Sequence, residues 1–251
     1  MKKLIMVLIL ALCVPALRVM AEGTTPLQLS IWSPLQVFPS DWDVTGLRCG
    51  GIYSRNRQVY GVDVGLFNSA DAASGGLQLG LGNLVSALGF GFVIFDPATS
   101  PVLGLESGGK PPRSELRAGY TGLQLSLLSN HADDMVGLQL AGICNRAIMM
   151  SGFQFSLGNE CFRGRGWQGG LLNEAHREFG GIQTGGVNTC GRVMRGLQVG
   201  GVNICDGEMH GLQIGIINYA YAQKMSGVQI GLLNFIYDNP VPFLPGINAH
   251  F

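Results

Sequence analysis

One short unit recurs along most of this chain, and a fold must accommodate that recurrence before anything else. Units open on Gly61 (GVDVGLFN), Gly76 (GLQLGLGN), Gly122 (GLQLSLLS), Gly137 (GLQLAGICN) and Gly152 (GFQFSLGN). They continue from Gly166 (GWQGGLLN), Gly181 (GIQTGGVN), Gly196 (GLQVGGVN), Gly211 (GLQIGIIN) and Gly227 (GVQIGLLN). From Gly122 onward the spacings are 15, 15, 14, 15, 15, 15 and 16 residues. The same step places Gly46 at the head of GLRCGGIY and Gly91 at the head of GFVIF. Between Phe95 and Gly122 a segment rich in Pro and Gly interrupts the register, so residues 96–120 are expected to form one long loop in a single array.

With the leading Gly as position 0, positions 1 and 3 are almost always apolar, 2 is usually Gln, 4 is Gly or small, 6 is usually apolar and 7 is usually Asn. Large residues alternating with Gly or Gln make a strand of period two. Two or three Gly per unit exclude helix. Turn residues fall at positions 10 and 11, as in Asp206-Gly207 and Gly191-Arg192. Two-residue loops containing Gly favour hairpins. A turn there sets position 3 against position 3, position 1 against position 5, and Gln at 2 against Gly at 4 in the next strand. That register packs both faces of an antiparallel meander. The expected fold is therefore all-β: a meander of about 14 strands, closed as a β-barrel to remove its edges. The alternative is a parallel β-solenoid with one 15-residue coil per unit and Gln and Asn ladders. It requires turns that the unbroken GLQLGLLN run leaves little room for.

Only 13% of residues are charged, with 16 basic and 16 acidic side chains. This balance speaks against a nucleic-acid partner. Lys2 and Lys3 precede an apolar stretch from Leu4 to Leu17 and then Val19-Met20-Ala21, the order of a secretory signal peptide. Residues 1–21 are expected to be removed, leaving a single domain over 22–251 with net charge −3. The five remaining cysteines are Cys49, Cys144, Cys161, Cys190 and Cys205, an odd number without disulfide spacing. Three share a position otherwise held by Ala, which suits a small buried apolar side chain. An exported, charge-poor barrel ending in an aromatic, Phe251, points to the outer membrane of a Gram-negative cell. Its expected partners are outer-membrane lipid and the barrel-assembly machinery. Against this, the Leu band over positions 1 to 5 spans only ~13 Å, short of the ~25 Å of a lipid-facing band.

The units GLQLGLGN, GLQVGGVN, GLQIGIIN and GVQIGLLN resemble those of the bacterial surface-repeat proteins, an exported group built from tandem G-[LV]-Q-φ-G-φ-φ-N units. The likeness runs from Gly46 to Asn234, with LQLSIWSPLQVFP before it and FLPGINAHF after it. It implies export and a place at the cell surface, and it carries over no catalytic residue. The chain departs from the pattern at Phe95–Tyr120.

Chemistry-bearing patterns are few. Gly164-Arg165-Gly166-Trp167-Gln168-Gly169 fits GxGxxG formally, but the repeat generates its glycines and no strand–turn–helix surrounds it. His131, Asp133 and Asp134 read as a solvated turn tip. His176, His210 and His250 have no metal-ligand spacing, and Asp41 and Asp43 flank Trp42 in a loop. No catalytic residue, cofactor or metal site is expected. What remains is the repeat's own polar set, represented by Gln198, Gln213 and Gln229, Asn203, Asn218 and Asn234, and Gly200, Gly215 and Gly231. The Gln column (Gln78, Gln124, Gln139, Gln154, Gln168, Gln183 and these three) reads as a structural hydrogen-bond ladder in preference to a polar lining. Two classes follow: a surface or outer-membrane barrel with a structural or narrow-pore role, or a secreted or periplasmic solenoid acting as a binding and adhesion module.

Overall fold

A computed structural model describes residues 23–86, 117–220, 225–237 and 239–251. Its strands are β1 (Thr24–Trp32), β2 (Leu35–Gln36), β3 (Asp43–Asn56), β4 (Tyr60–Val64), β5 (Phe67–Ala70), β6 (Ser74–Val85) and β7 (Gly119–Ala141). They continue as β8 (Cys144–Phe155), β9 (Gly158–Cys190), β10 (Val193–Cys205), β11 (Glu208–Ala220), β12 (Met225–Ile236) and β13 (Phe243–His250). From β3 to β12 every pairing is parallel, and like positions of neighbouring units align, with a one-residue shift between Gly80 and Gly82 where β6 meets β7: Ile182, Leu197 and Leu212 align, as do Gln183, Gln198 and Gln213. The molecule is a β-solenoid of about 12 turns.

The antiparallel meander and its closed barrel are thereby corrected, and the solenoid alternative is the fold. Position 1 meets position 1, not position 5, and Gln meets Gln, not Gly. The physical reason lies in the polar columns. Opposite a Gly, a buried Gln amide has no partner, which costs ~1–3 kcal/mol. Opposite an identical Gln ~4.8 Å away, donor and acceptor match in every coil.

Turns consume almost no residues, which is how an unbroken GLQLGLLN run still closes a coil. Burial alternates inward and outward along three short runs, near positions 1–4, 6–9 and 12–14, with corners between them. At one corner sits the leading Gly. From Gly61 to Gly211 these glycines hold φ between 117° and 141°, a region L side chains rarely enter. Bends at Ser156-Leu157 and Gly142-Ile143 mark the second corner, and those at Gly191-Arg192 and Asp206-Gly207 the third. The residues read as hairpin turns are therefore corners of a coil.

A solenoid has sheet edges only at its two ends, so closure is unnecessary. At the first end β1 lies parallel on β3, β2 folds back on β1, and Trp42 stacks on Phe38 at 5.0 Å. At the last end β13 runs antiparallel to β12 and carries Pro245, which cannot donate to a further strand. β1 and β2 thus cap the first end and β13 the last.

The coil opened by Gly122 stacks directly on that opened by Gly76. The unit expected at Gly91 lies outside the described residues. The expected signal peptide over 1–21 and most of the loop expected over 96–120 also lie outside the described residues.

Candidate functional site

Inside the coils, Gln side chains form one continuous ladder. Each Gln Nε2 donates to the Oε1 of the Gln one coil earlier, at 2.7–2.9 Å, from Gln124 on Gln78 to Gln229 on Gln213. A second ladder runs beside it with opposite polarity. Each Asn Nδ2 donates forward to the next Asn Oδ1, at 2.8–3.0 Å, from Asn68 to Asn234. The amide dipoles of the two columns oppose one another along the axis. The Asn Nδ2 also reaches a backbone carbonyl in the next coil, as Asn203 does to Ile214 and Asn218 to Ile230, tying two sides across the second corner.

This explains the Gly at position 4. A Cβ on Gly200 would lie 2.3 Å from the Gly185 carbonyl oxygen and 2.6 Å from Asn188 Nδ2; Gly215 and Gly231 stand in the same relation to Asn203 and Asn218. Bulk is excluded there because an Asn of the preceding coil fills the space, not because a Gln faces it across a hairpin. The rest of the interior is a column of Met135, Met150, Phe179, Met194, Met209 and Met225 and a column of Ala and Cys, including Cys161, Cys190 and Cys205. All five described cysteines are free thiols.

Because every Gln donates backward, the first coil of the ladder needs a pure acceptor. Asp63 occupies that position and accepts from Gln78 Nε2 at 2.9 Å. Arg48, directly before it in the column and wholly buried, holds the carboxylate with Nε and Nη2 at 2.7 and 2.6 Å and donates to the Ser69 carbonyl at 2.8 Å. Both stand at position 2 of their units, in line with the Gln column, and neither was among the expected site residues.

The remaining chemistry-bearing residues are structural. Asp133, buried, accepts from the Ala118 amide at 2.8 Å, and Asp134 pairs with Arg117 at 3.1 Å, so this cluster clasps the chain where it re-enters the stack and is not a solvated tip. GxGxxG at 164–169 lies within β9. His250 Nδ1 lies 2.7 Å from the Met225 carbonyl oxygen, and Asp43 pairs with Arg57. Among the described residues no cluster of His, Cys, Asp and Glu is arranged to hold a metal.

His176 bridges two acids, with Nε2 at 2.8 Å from Glu160 and Nδ1 at 3.2 Å from Glu174, while Arg146 also binds Glu160. Burial alone would lower the imidazole pKa, but hydrogen bonds to Glu160 and Glu174 outweigh it and raise the value from 6.5 to about 9. A raised folded-state pKa stabilises the fold fully below the unfolded value and loses that contribution as pH climbs through the folded one. Thermal stability should therefore decline between about pH 6.5 and pH 9, and His176→Gln should flatten this decline. Equal slopes for both proteins in a melting series would contradict it.

The outward side chains of positions 1, 3 and 5 form the other outstanding feature. From Leu27, Leu29 and Ile31 in β1, through eleven coils, to Ile247 and Ala249 in β13, no charged residue stands in these three columns. Thr184 is their one hydrogen-bonding side chain apart from Trp167, whose indole donates to it at 2.9 Å. Leu127 and Leu232 are each 69% exposed, Leu171 60% and Leu157 58%. The ion pairs Arg55–Asp71, Arg146–Glu160 and Arg163–Glu178 all lie on the other two sides. Twelve spacings between thirteen strands, by five strand positions, give a strip of roughly 58 by 13 Å, about 750 Å² in projection. Monomers seldom expose contiguous apolar patches above ~600 Å². The sequence showed this Leu band but assigned it to a barrel wall.

Fold and surface together define a capped, parallel β-solenoid with one apolar side. No known protein family matches the chain, and no curated protein or solved structure does so significantly. No helix among the described residues is long and apolar enough to cross a membrane.

Proposed function

We propose that this chain is an exported, cell-surface β-solenoid that acts as a binding module through its apolar side. The uncharged strip from Leu27 to Ala249 carries this reading, because leaving it in water would forfeit burial worth ~25 cal/mol per Å². Support for export comes from the order of charged, apolar and small residues over 1–21 and from the likeness of the GLQLGLGN-type units to surface-repeat proteins.

The test is to place Lys at Leu127, Ile216 and Leu232, all half to two-thirds exposed, and to follow the chain in the cells that export it. The unaltered protein is expected in an assembly or on the membrane, and the triple variant as a free monomer with the same circular dichroism. Free monomers for both would overturn the reading.

A further inference from the structure

We propose that the occupant of the apolar strip is a second copy of the same chain, packed face to face and antiparallel about a two-fold axis through the coil opened by Gly152; this rests on the reading of that side as a binding surface. Three observations point to it. Specific interfaces bury ~800 Å² per partner, and homodimer interfaces are the more apolar ones; the strip supplies about that area with no charge to desolvate. Both ends of the solenoid carry capping strands, and the strip is a continuous uncharged apolar surface running between them.

The third observation is the order of large and small residues at position 5. Counting β1 as the first strand, the coil of Gly152 is the seventh of thirteen, and a two-fold axis there sets the sixth coil on the eighth, the fifth on the ninth, and so outward. Gly142 then faces Leu171, Gly186 faces Leu127, Gly201 faces Leu81 and Gly51 faces Leu232, while Leu157 meets its own copy. Every glycine gap in the column receives a leucine. At position 3 the single gap, Gly169, receives Leu140. A two-fold axis along the solenoid would instead set position 5 on position 1, and the gaps would lose this match.

The purified exported chain should sediment as a dimer at micromolar concentration. Leu157→Glu with Leu171→Glu should weaken dimerisation at least a hundredfold with an unchanged circular dichroism spectrum. In a Cys49→Ser/Cys144→Ser background, Leu157→Cys should crosslink two copies through a short bis-maleimide, while the more exposed Leu232→Cys, roughly ten coils from its own copy, should not. Crosslinking through Leu232→Cys, an open-ended series of oligomers, or a monomeric wild type would each overturn the dimer. A wild type that is monomeric alone but floats with phosphatidylcholine vesicles would make lipid the occupant and leave the binding reading intact. If it is monomeric, ignores vesicles and behaves in cells like the triple Lys variant, both fall.

Discussion

Replacing Gly196 by alanine should destabilise the protein by ~4 kcal/mol, whereas Gly180→Ala should leave it unchanged within ~0.5 kcal/mol. Both are glycines in the same stretch of coils, and composition gives no reason to separate them. Gly196 holds φ at +136°, and a Cβ there would lie 2.1 Å from the Gly181 carbonyl oxygen. That contact cannot relax, because the carbonyl belongs to the backbone of the coil on which Gly196 stacks. A Cβ on Gly180 meets nothing within 4 Å. Urea denaturation of the two variants measures the difference directly. Equal midpoints would mean that Gly196 is not at a corner pressed against its neighbour.

Arg48→Met should cost ~3–5 kcal/mol, the loss expected when a buried ion pair is broken from one side. Asp63 would be left buried with a single donor, Gln78. The pair has value here because it starts the Gln ladder, so a variant that starts the ladder differently should restore much of the loss. In Arg48→Gln/Asp63→Gln the column would run as Gln from position 28 through 48, 63 and 78, and each new amide could donate backward as the others do. Thermal melting should place the double variant well above Arg48→Met. A double variant no better than the single would show that charge at this end matters for a reason other than ladder termination.

The two cases show which features were legible in the sequence. Strand periodicity, the inward Gln and Asn columns, the small position shared by Cys161, Cys190 and Cys205, and the outward Leu band all follow from side-chain alternation within one unit. Pairing between units does not, because the same alternation satisfies a hairpin and a stack. Asp206-Gly207 suits either a two-residue hairpin loop or a solenoid corner. What separates them is whether Gln198 finds an amide or a hydrogen atom across the strand, and the hydrogen-bonding demand of a buried amide decides for the stack. The corner at Gly196 was hidden for a related reason. A single glycine with positive φ turns the chain without interrupting the strand pattern, so no turn signal marks it. The ladder's starting pair, Arg48 and Asp63, departs from the repeat, and irregular units are where a repeat array must meet its ends.

Parallel stacking in register is tested most directly by through-space contacts of one outward side chain. In an isotope-labelled sample, nuclear Overhauser effects from Leu197 methyls should connect to Ile182 and Leu212, its partners at position 1 in the coils on either side. An antiparallel meander would instead connect Leu197 to Ile216. Contacts to Ile182 and Leu212 are the predicted result, and a dominant contact to Ile216 would contradict the solenoid.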